Sequence, residues 1–135
     1  MSEPFKASLI TPEAILLEAS ITAAQIPAHD GLVGILTHRQ PLLAKLGTGI
    51  LRLDTDAGSQ RFLVSGGYAQ MKDNELTILT TQATPASQVT PEMIAGAQAR
   101  LNQLQGTDPK TLEQRAALQA RIAAMHQAQN VYMIQ

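Results

Sequence analysis

The chain has 135 residues, enough for one domain or for one domain with a small appendage. Ten Lys and Arg against eleven Asp and Glu give a formal net charge of -1, so the basic surface typical of nucleic-acid-binding proteins is missing. Without cysteine, the chain cannot form a disulfide, a cysteine-ligated metal site or a catalytic thiol. No apolar run approaches the roughly 20 residues of a membrane span, and the N-terminus does not resemble a signal peptide. We therefore expect a soluble globular protein.

Alternating apolar and polar residues predict short β-strands as far as about residue 86. Turn-forming residues at Asp54–Gly58 and at Lys72–Glu75 predict two hairpins, and Gly66-Gly67 interrupts the pattern between them. The segment 27–46 does not alternate, and we expect an ordered connection there with at most two short strands. The apolar face of the first long strand is predicted to consist of Ile15, Leu17, Ala19, Ile21 and Ala23. Together these features predict an antiparallel sandwich or flattened barrel.

The composition changes near residue 88, where alanine and glutamine become frequent and two helices are predicted. Thr90-Pro91-Glu92 and Asp108-Pro109 are typical helix starts, and Gly106 is expected to end the first helix. A connection of two or three residues predicts an antiparallel helical hairpin, held weakly because alanine buries little area. The predicted apolar stripes are Met93, Ala97, Leu101 and Leu104 in the first helix, and Leu118, Ile122 and Met125 in the second. We expect a β-sandwich domain at 1–87 and a helical hairpin domain at 88–135.

The titratable residues give weak signals for chemistry. His29, Asp30 and His38 lie within ten residues and could form a metal or acid–base site, although solvent-exposed loop residues are the favoured interpretation. Three arginines on the helices form either a solvated face or an anion site: Arg100, Arg115 and Arg121. No nucleophile, base and oxyanion donor assemble in the sequence, which favours an interaction protein over an enzyme. Two alternatives stay open: a small-ligand-binding β-barrel with a helical appendage, and a hydrolase using the histidines.

A run of residues from Ile26 to Leu36, followed by Pro41-Leu42-Leu43 and Gly49-Ile50-Leu51-Arg52, resembles the epsilon subunit of rotary proton-translocating ATP synthases. Ser65-Gly66-Gly67-Tyr68 and the strand at Leu76–Thr80 fall where that family has them. Each motif is weak alone, but their order and spacing are specific. The resemblance covers essentially the whole chain.

The resemblance implies a sandwich of about ten strands and two helices, in a non-catalytic rotor subunit of the central stalk. The implied partners are the gamma subunit, the membrane c-ring and, through the hairpin, the alternating alpha/beta catalytic head, with no cofactor or metal and no nucleic acid. In this family the hairpin can inhibit ATP hydrolysis. The implied location is peripheral, on the cytoplasmic side of the bacterial inner membrane or on an organellar membrane. By resemblance, the interface with the ring and gamma comprises Asp30, Gly31, Leu32, His38, Arg39, Pro41 and Leu42.

The sequence departs from the family pattern at three places. Thr37-His38-Arg39 stands where the family has Pro-x-His, and Leu32 occupies a position that is often acidic or small. The family's ATP-binding motif I-D-x-x-R-A has neither its Asp nor its Arg in the stretches 89–94 and 94–99. We therefore expect no family-type nucleotide site. The interface segments 27–34 and 37–43 are expected to form loops together at the foot of the sandwich.

Overall fold

The computed structural model describes residues 3–133, and their side chains as far as residue 129. Residues 1–2 of the predicted β-sandwich domain and residues 134–135 of the predicted helical hairpin domain lie outside the described residues. The strands are β1 (Phe5–Ile10), β2 (Ile15–Ala28), β3 (Gly31–Leu36), β4 (Leu42–Lys45), β5 (Thr48–Thr55), β6 (Gly58–Ser65), β7 (Tyr68–Lys72), β8 (Glu75–Leu79) and β9 (Ala83–Pro85). A 3-10 turn at Ala86–Gln88 leads to the helices α1 (Pro91–Gln103) and α2 (Pro109–Met133).

The strands form a β-sandwich, as predicted, and β2 belongs to both of its layers. Hydrogen bonding runs in the order β4-β7-β8-β1-β2-β5-β6-β9, and β3 pairs with β2. The first half of β2 pairs with β1, and its second half pairs with β3 and β5. One layer therefore contains β4, β7, β8, β1 and the start of β2, which we call the first layer. The second layer contains β3, the end of β2, β5, β6 and β9.

The core lies between the two layers and explains why the alternating segments are strands. Leu51 and Leu53 of β5, and Leu76 and Ile78 of β8, are at most 1% exposed. Each such side chain contributes about 1.5–3 kcal/mol through burial. Both predicted hairpins are confirmed, since Thr55 pairs with Gly58 and Lys72 pairs with Glu75.

The predicted buried face of β2 is wrong at both of its ends. Ile15 is 58% exposed, and the buried residues of this strand are Ile21, Ala24, Ile26 and Pro27. The pairing with β5 is irregular between Ile21 and Ala23, as in a β-bulge. A bulge moves the side-chain alternation by one residue, so every later residue of the strand changes face. This irregularity lies where β2 passes from one layer to the other.

The prediction of two short strands between residues 27 and 46 is confirmed by β3 and β4. The expectation that 27–34 and 37–43 are loops is wrong in part. Residues 27–28 continue β2, residues 31–34 belong to β3, and residues 42–43 begin β4. Only the turn at 29–30 and the connection 37–41 are loops.

Both helices begin where their capping residues predict. The Thr90 hydroxyl accepts a hydrogen bond from the Met93 N–H at 3.2 Å, and the Asp108 carboxylate accepts one from the Thr111 N–H at 3.1 Å. The end of α1 differs from the prediction: it lies at Gln103, and Gly106 falls within a connection of residues 104–108. The connection is therefore five residues long.

The helices run antiparallel and pack on the second layer. Arg115, early in α2, donates to the carbonyl oxygens of Leu101 and Leu104 at the end of α1, and Gln129, late in α2, donates to Val89 O just before α1. Their apolar stripe packs against Ile50 and Leu63 of the sheet. In α1 the stripe consists of Ile94, Ala97 and Leu101, so Ile94 takes the place predicted for Met93, which is half-buried. In α2 it includes Leu118, Ile122, Met125 and Ala128.

Candidate interaction surfaces

The turn between β2 and β3 carries the first predicted interface segment. Ala28 pairs with Gly31, which leaves His29 and Asp30 as a two-residue turn. Gly31 has φ +137°, a conformation that L side chains rarely adopt. The His29 N–H donates to Lys45 O at 2.9 Å and fixes the turn against the end of β4. Asp30 and Leu32 project into solvent, and Leu32 is 62% exposed.

The connection between β3 and β4 carries the second predicted segment. The His38 N–H donates to Asn74 Oδ1 at 2.7 Å, which fixes this connection to the turn between β7 and β8. The His38 ring nitrogen Nε2 lies 2.9 Å from Glu3 Oε2, and both side chains are exposed. Arg39 and Pro41 are exposed, whereas Leu42 is half-buried and packs against the core.

The turn at 29–30 and the connection at 37–41 lie at opposite ends of β3 rather than together. The six residues of β3, Gly31–Leu36, lie between them and span about 17 Å from the first to the last. The expectation that both segments form one loop cluster at the foot of the sandwich is therefore wrong. The same separation removes His38 from His29 and Asp30, so the three residues of the hydrolase alternative do not meet. Within residues 3–133 no three His, Cys, Asp or Glu side chains are placed to hold a metal ion.

A row of apolar side chains that no sequence motif indicates crosses the outer face of the first layer. Leu79 of β8 pairs with Tyr68 of β7 on one side and with Ile10 of β1 on the other. Tyr68 is 52% exposed and Leu79 is 50% exposed. On β4, Lys45 pairs with Tyr68, and Leu43, 69% exposed, pairs with Gln70 and therefore lies diagonally from Tyr68 on the same face. We call Ile10, Leu43, Tyr68 and Leu79 the apolar row.

The apolar row adjoins a shallow cleft of about 410 Å³ that is also lined by Pro12 and Gly67. Gly67 has φ +111°, and a Cβ at this position would collide with the backbone of Leu79 and Thr80. The glycine thus allows β7 to start directly beside the end of β8, which brings Tyr68 next to Leu79. The alternation along β8 indicates this surface in the sequence, because Leu79 is apolar whereas Glu75 and Thr77 on the same face of the strand are polar.

Two of the three arginines of the hairpin, Arg115 and Arg121, bind other parts of this chain. Arg115 caps the end of α1, where carbonyl groups carry partial negative charge. Arg121 Nη1 donates to Ser65 Oγ at 2.8 Å and links α2 to β6. Arg100 is exposed and lines, with Arg121, a cleft of about 780 Å³ between the hairpin and the sheet.

The structure perturbs the ionisation of Asp108 at the start of α2. Hydrogen bonds from the hydroxyl and the N–H of Thr111 hold the pKa of its carboxyl below the ordinary value. These bonds favour the charged form of an N-cap, where the helix dipole also favours negative charge.

None of the helices that the structure describes has the length and apolar character needed to cross a membrane.

Comparisons with known proteins agree with this architecture. The fold superposes on a chain from the cryo-EM structure of Euglena gracilis mitochondrial ATP synthase, OSCP/F1/c-ring in rotational state 1. The TM-score is 0.82 and the sequence identity is 22%, and the match covers 93% of this chain and 81% of the other. That likeness concerns the fold.

The sequence comparisons identify the family. The ATP synthase epsilon chain of Rhodopirellula baltica is 38% identical over 77 residues, 57% of this chain and 60% of that one. The ATP synthase epsilon chain of Desulfitobacterium hafniense is 28% identical over 134 residues, 96% of this chain and 100% of that one. A family model described as ATP synthase, Delta/Epsilon chain, beta-sandwich domain matches residues 4–86, more than half of the chain. The chain therefore belongs to the epsilon chain family of ATP synthases.

Proposed function

We propose that this chain is a non-catalytic rotor subunit of the central stalk of an ATP synthase, in which the sandwich binds the gamma subunit and the c-ring. The observation that carries the proposal is the apolar row, because three of its side chains, Leu43, Tyr68 and Leu79, are at least half exposed, and such apolar groups close together on a folded domain mark interaction sites. The fold also resembles a chain of an assembly that contains F1 and a c-ring. As a subunit of such a complex, the chain would be attached peripherally to its membrane sector.

We assign the two surfaces to different partners. A rotor subunit that transmits torque has to hold two partners at once, and it therefore needs two separate surfaces. The apolar row lies on the face of the first layer and suits a permanent, largely apolar contact, which we assign to gamma. The turn at His29-Asp30, with Leu32 exposed beside it, projects from the sandwich and is assigned to the c-ring. His38 and Arg39 lie at the other end of β3, and we assign them to the contact with either the ring or gamma.

The gamma assignment can be tested with two substitutions on the same face of β8. Leu79→Lys places a charge within the apolar row, whereas Thr77→Lys places one two residues away on the same strand. Charge at the centre of an apolar contact is costly, so Leu79→Lys should weaken binding to purified gamma about tenfold or more. Thr77→Lys should bind nearly as the unmodified chain does. Equal binding of both variants would show that the apolar row is not the gamma contact.

The ring assignment has its own test. Lysine at both Asp30 and Leu32 should loosen attachment to the membrane sector and lower proton-coupled activity, while binding to gamma is retained. Normal coupling in this variant would remove the β2–β3 turn from the interface.

We further propose that the hairpin inhibits ATP hydrolysis when it leaves the sheet and reaches the alpha/beta catalytic head. Its contact with the sheet supports this, because the stripe residues include alanines that bury little area. A chain ending at Ser87 should therefore leave the assembled enzyme with faster ATP hydrolysis than the full chain does. Equal hydrolysis rates with both chains would contradict the inhibitory role.

The alternatives lack support in the structure. A small-ligand-binding barrel requires an enclosed apolar cavity. In the described part of the chain, side chains of both layers fill the interior as one cluster, and the clefts open at the surface. The hydrolase alternative fails because its three residues lie apart.

A further inference from the structure

Two arginines lie directly opposite each other on the outer face of the second layer. Arg52 of β5 pairs with Arg61 of β6, and Gln25 of β2 pairs with Arg52 from the other side. Like charges that face each other across neighbouring strands are destabilising. This row is separate from the apolar row and from the cleft that Arg100 and Arg121 line.

The charge of the pair is only partly balanced. Asp54 Oδ1 lies 3.2 Å from Arg52 Nε, but the geometry is not that of a hydrogen bond, and this buried nitrogen has no hydrogen-bond partner among the described residues. The same carboxylate oxygen accepts a hydrogen bond from Ser59 Oγ at 2.7 Å. Arg61 makes no side-chain hydrogen bond or ion pair within the part of the chain for which side chains are described. One guanidinium charge is therefore uncompensated, and since Arg52 and Arg61 are half-buried, water screens it incompletely.

A cleft of about 450 Å³ lies above the two arginines. Three further residues of its lining can donate a hydrogen bond: Gln25, Thr48 of β5 and Gln127 of α2. The rest of the lining carries no polar side chain and consists of Pro27, Ala28, Gly49, Ile50 and Leu32, the last of which also belongs to the proposed ring contact. Its lining includes no carboxylate among the described residues. Such a cleft is electropositive and rich in donors, and it lies where the hairpin meets the sheet.

We propose that this cleft binds a phosphate group. Two guanidinium groups and three neutral donors offer more hydrogen bonds than the two oxygens of a carboxylate can accept, whereas a phosphate presents three or four oxygens. Arginine is suited to this role because its planar fork contacts two phosphate oxygens at once. The group is either free phosphate or the phosphoryl end of a nucleotide, and the proposal does not depend on the rotor function.

The test is a nuclear magnetic resonance titration of the full chain with sodium phosphate, with sodium chloride at matched ionic strength as the reference. The signals observed are the Nε–H groups of Arg52 and Arg61 and the side-chain amide of Gln127. We expect saturable shifts of all three, with a dissociation constant on the order of 1 mM for such a solvent-accessible site. Shifts that chloride reproduces, or that never saturate, would overturn the proposal.

Substitutions distinguish a site from general charge. Arg61→Gln should weaken phosphate binding about tenfold, because it removes one bidentate charge-assisted contact. Arg61→Lys keeps the charge without the fork and should give a smaller loss. Arg39→Gln removes the same charge near the far end of β3 and should leave the affinity unchanged. Circular dichroism checks that each variant is folded. Unchanged affinity in Arg61→Gln, or an equal loss in Arg39→Gln, would contradict the site.

A second titration, with ATP, separates the two sources of the phosphate group. Saturation by phosphate alone identifies free phosphate, and saturation by ATP alone or more tightly by ATP identifies a nucleotide; both results support the cleft. If ATP moves only the signals of Arg100 and Arg121, and neither ligand moves Arg61, the proposal is wrong.

Discussion

The hydrogen bond between Arg121 and Ser65 is a polar link between α2 and the sandwich, and its removal should loosen the hairpin. The bond is 2.8 Å long, and both residues are half-buried. Hydrogen bonds to charged groups contribute about 1.5–3 kcal/mol when well shielded, and we take about 1 kcal/mol because both partners can reach water. Loss of about 1 kcal/mol corresponds to about a fivefold shift of the docking equilibrium toward the undocked hairpin.

Hydrogen exchange of the backbone amides measures this shift. In Ser65→Ala and in Arg121→Met, the amides of α2 should exchange about fivefold faster, while those of β1, β8 and the rest of the first layer keep their rates. The double variant should exchange no faster than the Arg121 variant, because the two residues share one interaction. Arg100→Met is the matched control, since Arg100 lines the same cleft but is exposed. Additive effects of the two substitutions, or an equal acceleration in the control, would refute the assigned link.

Three further predictions concern the hairpin and its independence. A chain ending at Ser87 should melt cooperatively, because the core between the layers consists of residues that precede this point; an unfolded circular dichroism spectrum would refute the two-domain division at 87/88. The depressed pKa of Asp108 stabilises the start of α2 above the unfolded-state pKa of this group, and that contribution is lost as pH falls through the folded-state value. The Thr111 amide should then lose protection in acid, and Asp108→Asn should remove this pH dependence; an unchanged acid response in the variant would contradict the assignment. Binding of ATP with magnesium should be at most weak and salt-sensitive by calorimetry, because the motif positions of α1 offer no Asp–Arg pair; micromolar or tighter binding would overturn this.

The candidate surfaces show which kinds of site a sequence can reveal. Asp30 and Leu32 were found because they belong to a motif, and motifs are contiguous in the chain. No motif contains the apolar row, because its members come from four strands, and β1 and β4 are distant in sequence from the hairpin of β7 and β8. Arg52 and Arg61 lie on two strands that a turn connects, and only the register of this hairpin places them opposite each other.

Local chemistry determined the elements of this protein, and tertiary contacts determined their ends, faces and neighbours. Period-two alternation, turn residues and caps such as Thr90 and Asp108 act over a few residues, so the sequence alone predicted the hairpins and the helix starts. The bulge in β2 depends on the passage of that strand between two layers. The exchange of Met93 for Ile94 in the buried stripe depends on how α1 packs into the cluster that also contains α2 and Leu63. The separation of Asp30 from His38 arises because the residues between them pair with β2 as a strand, a contact that no local pattern encodes.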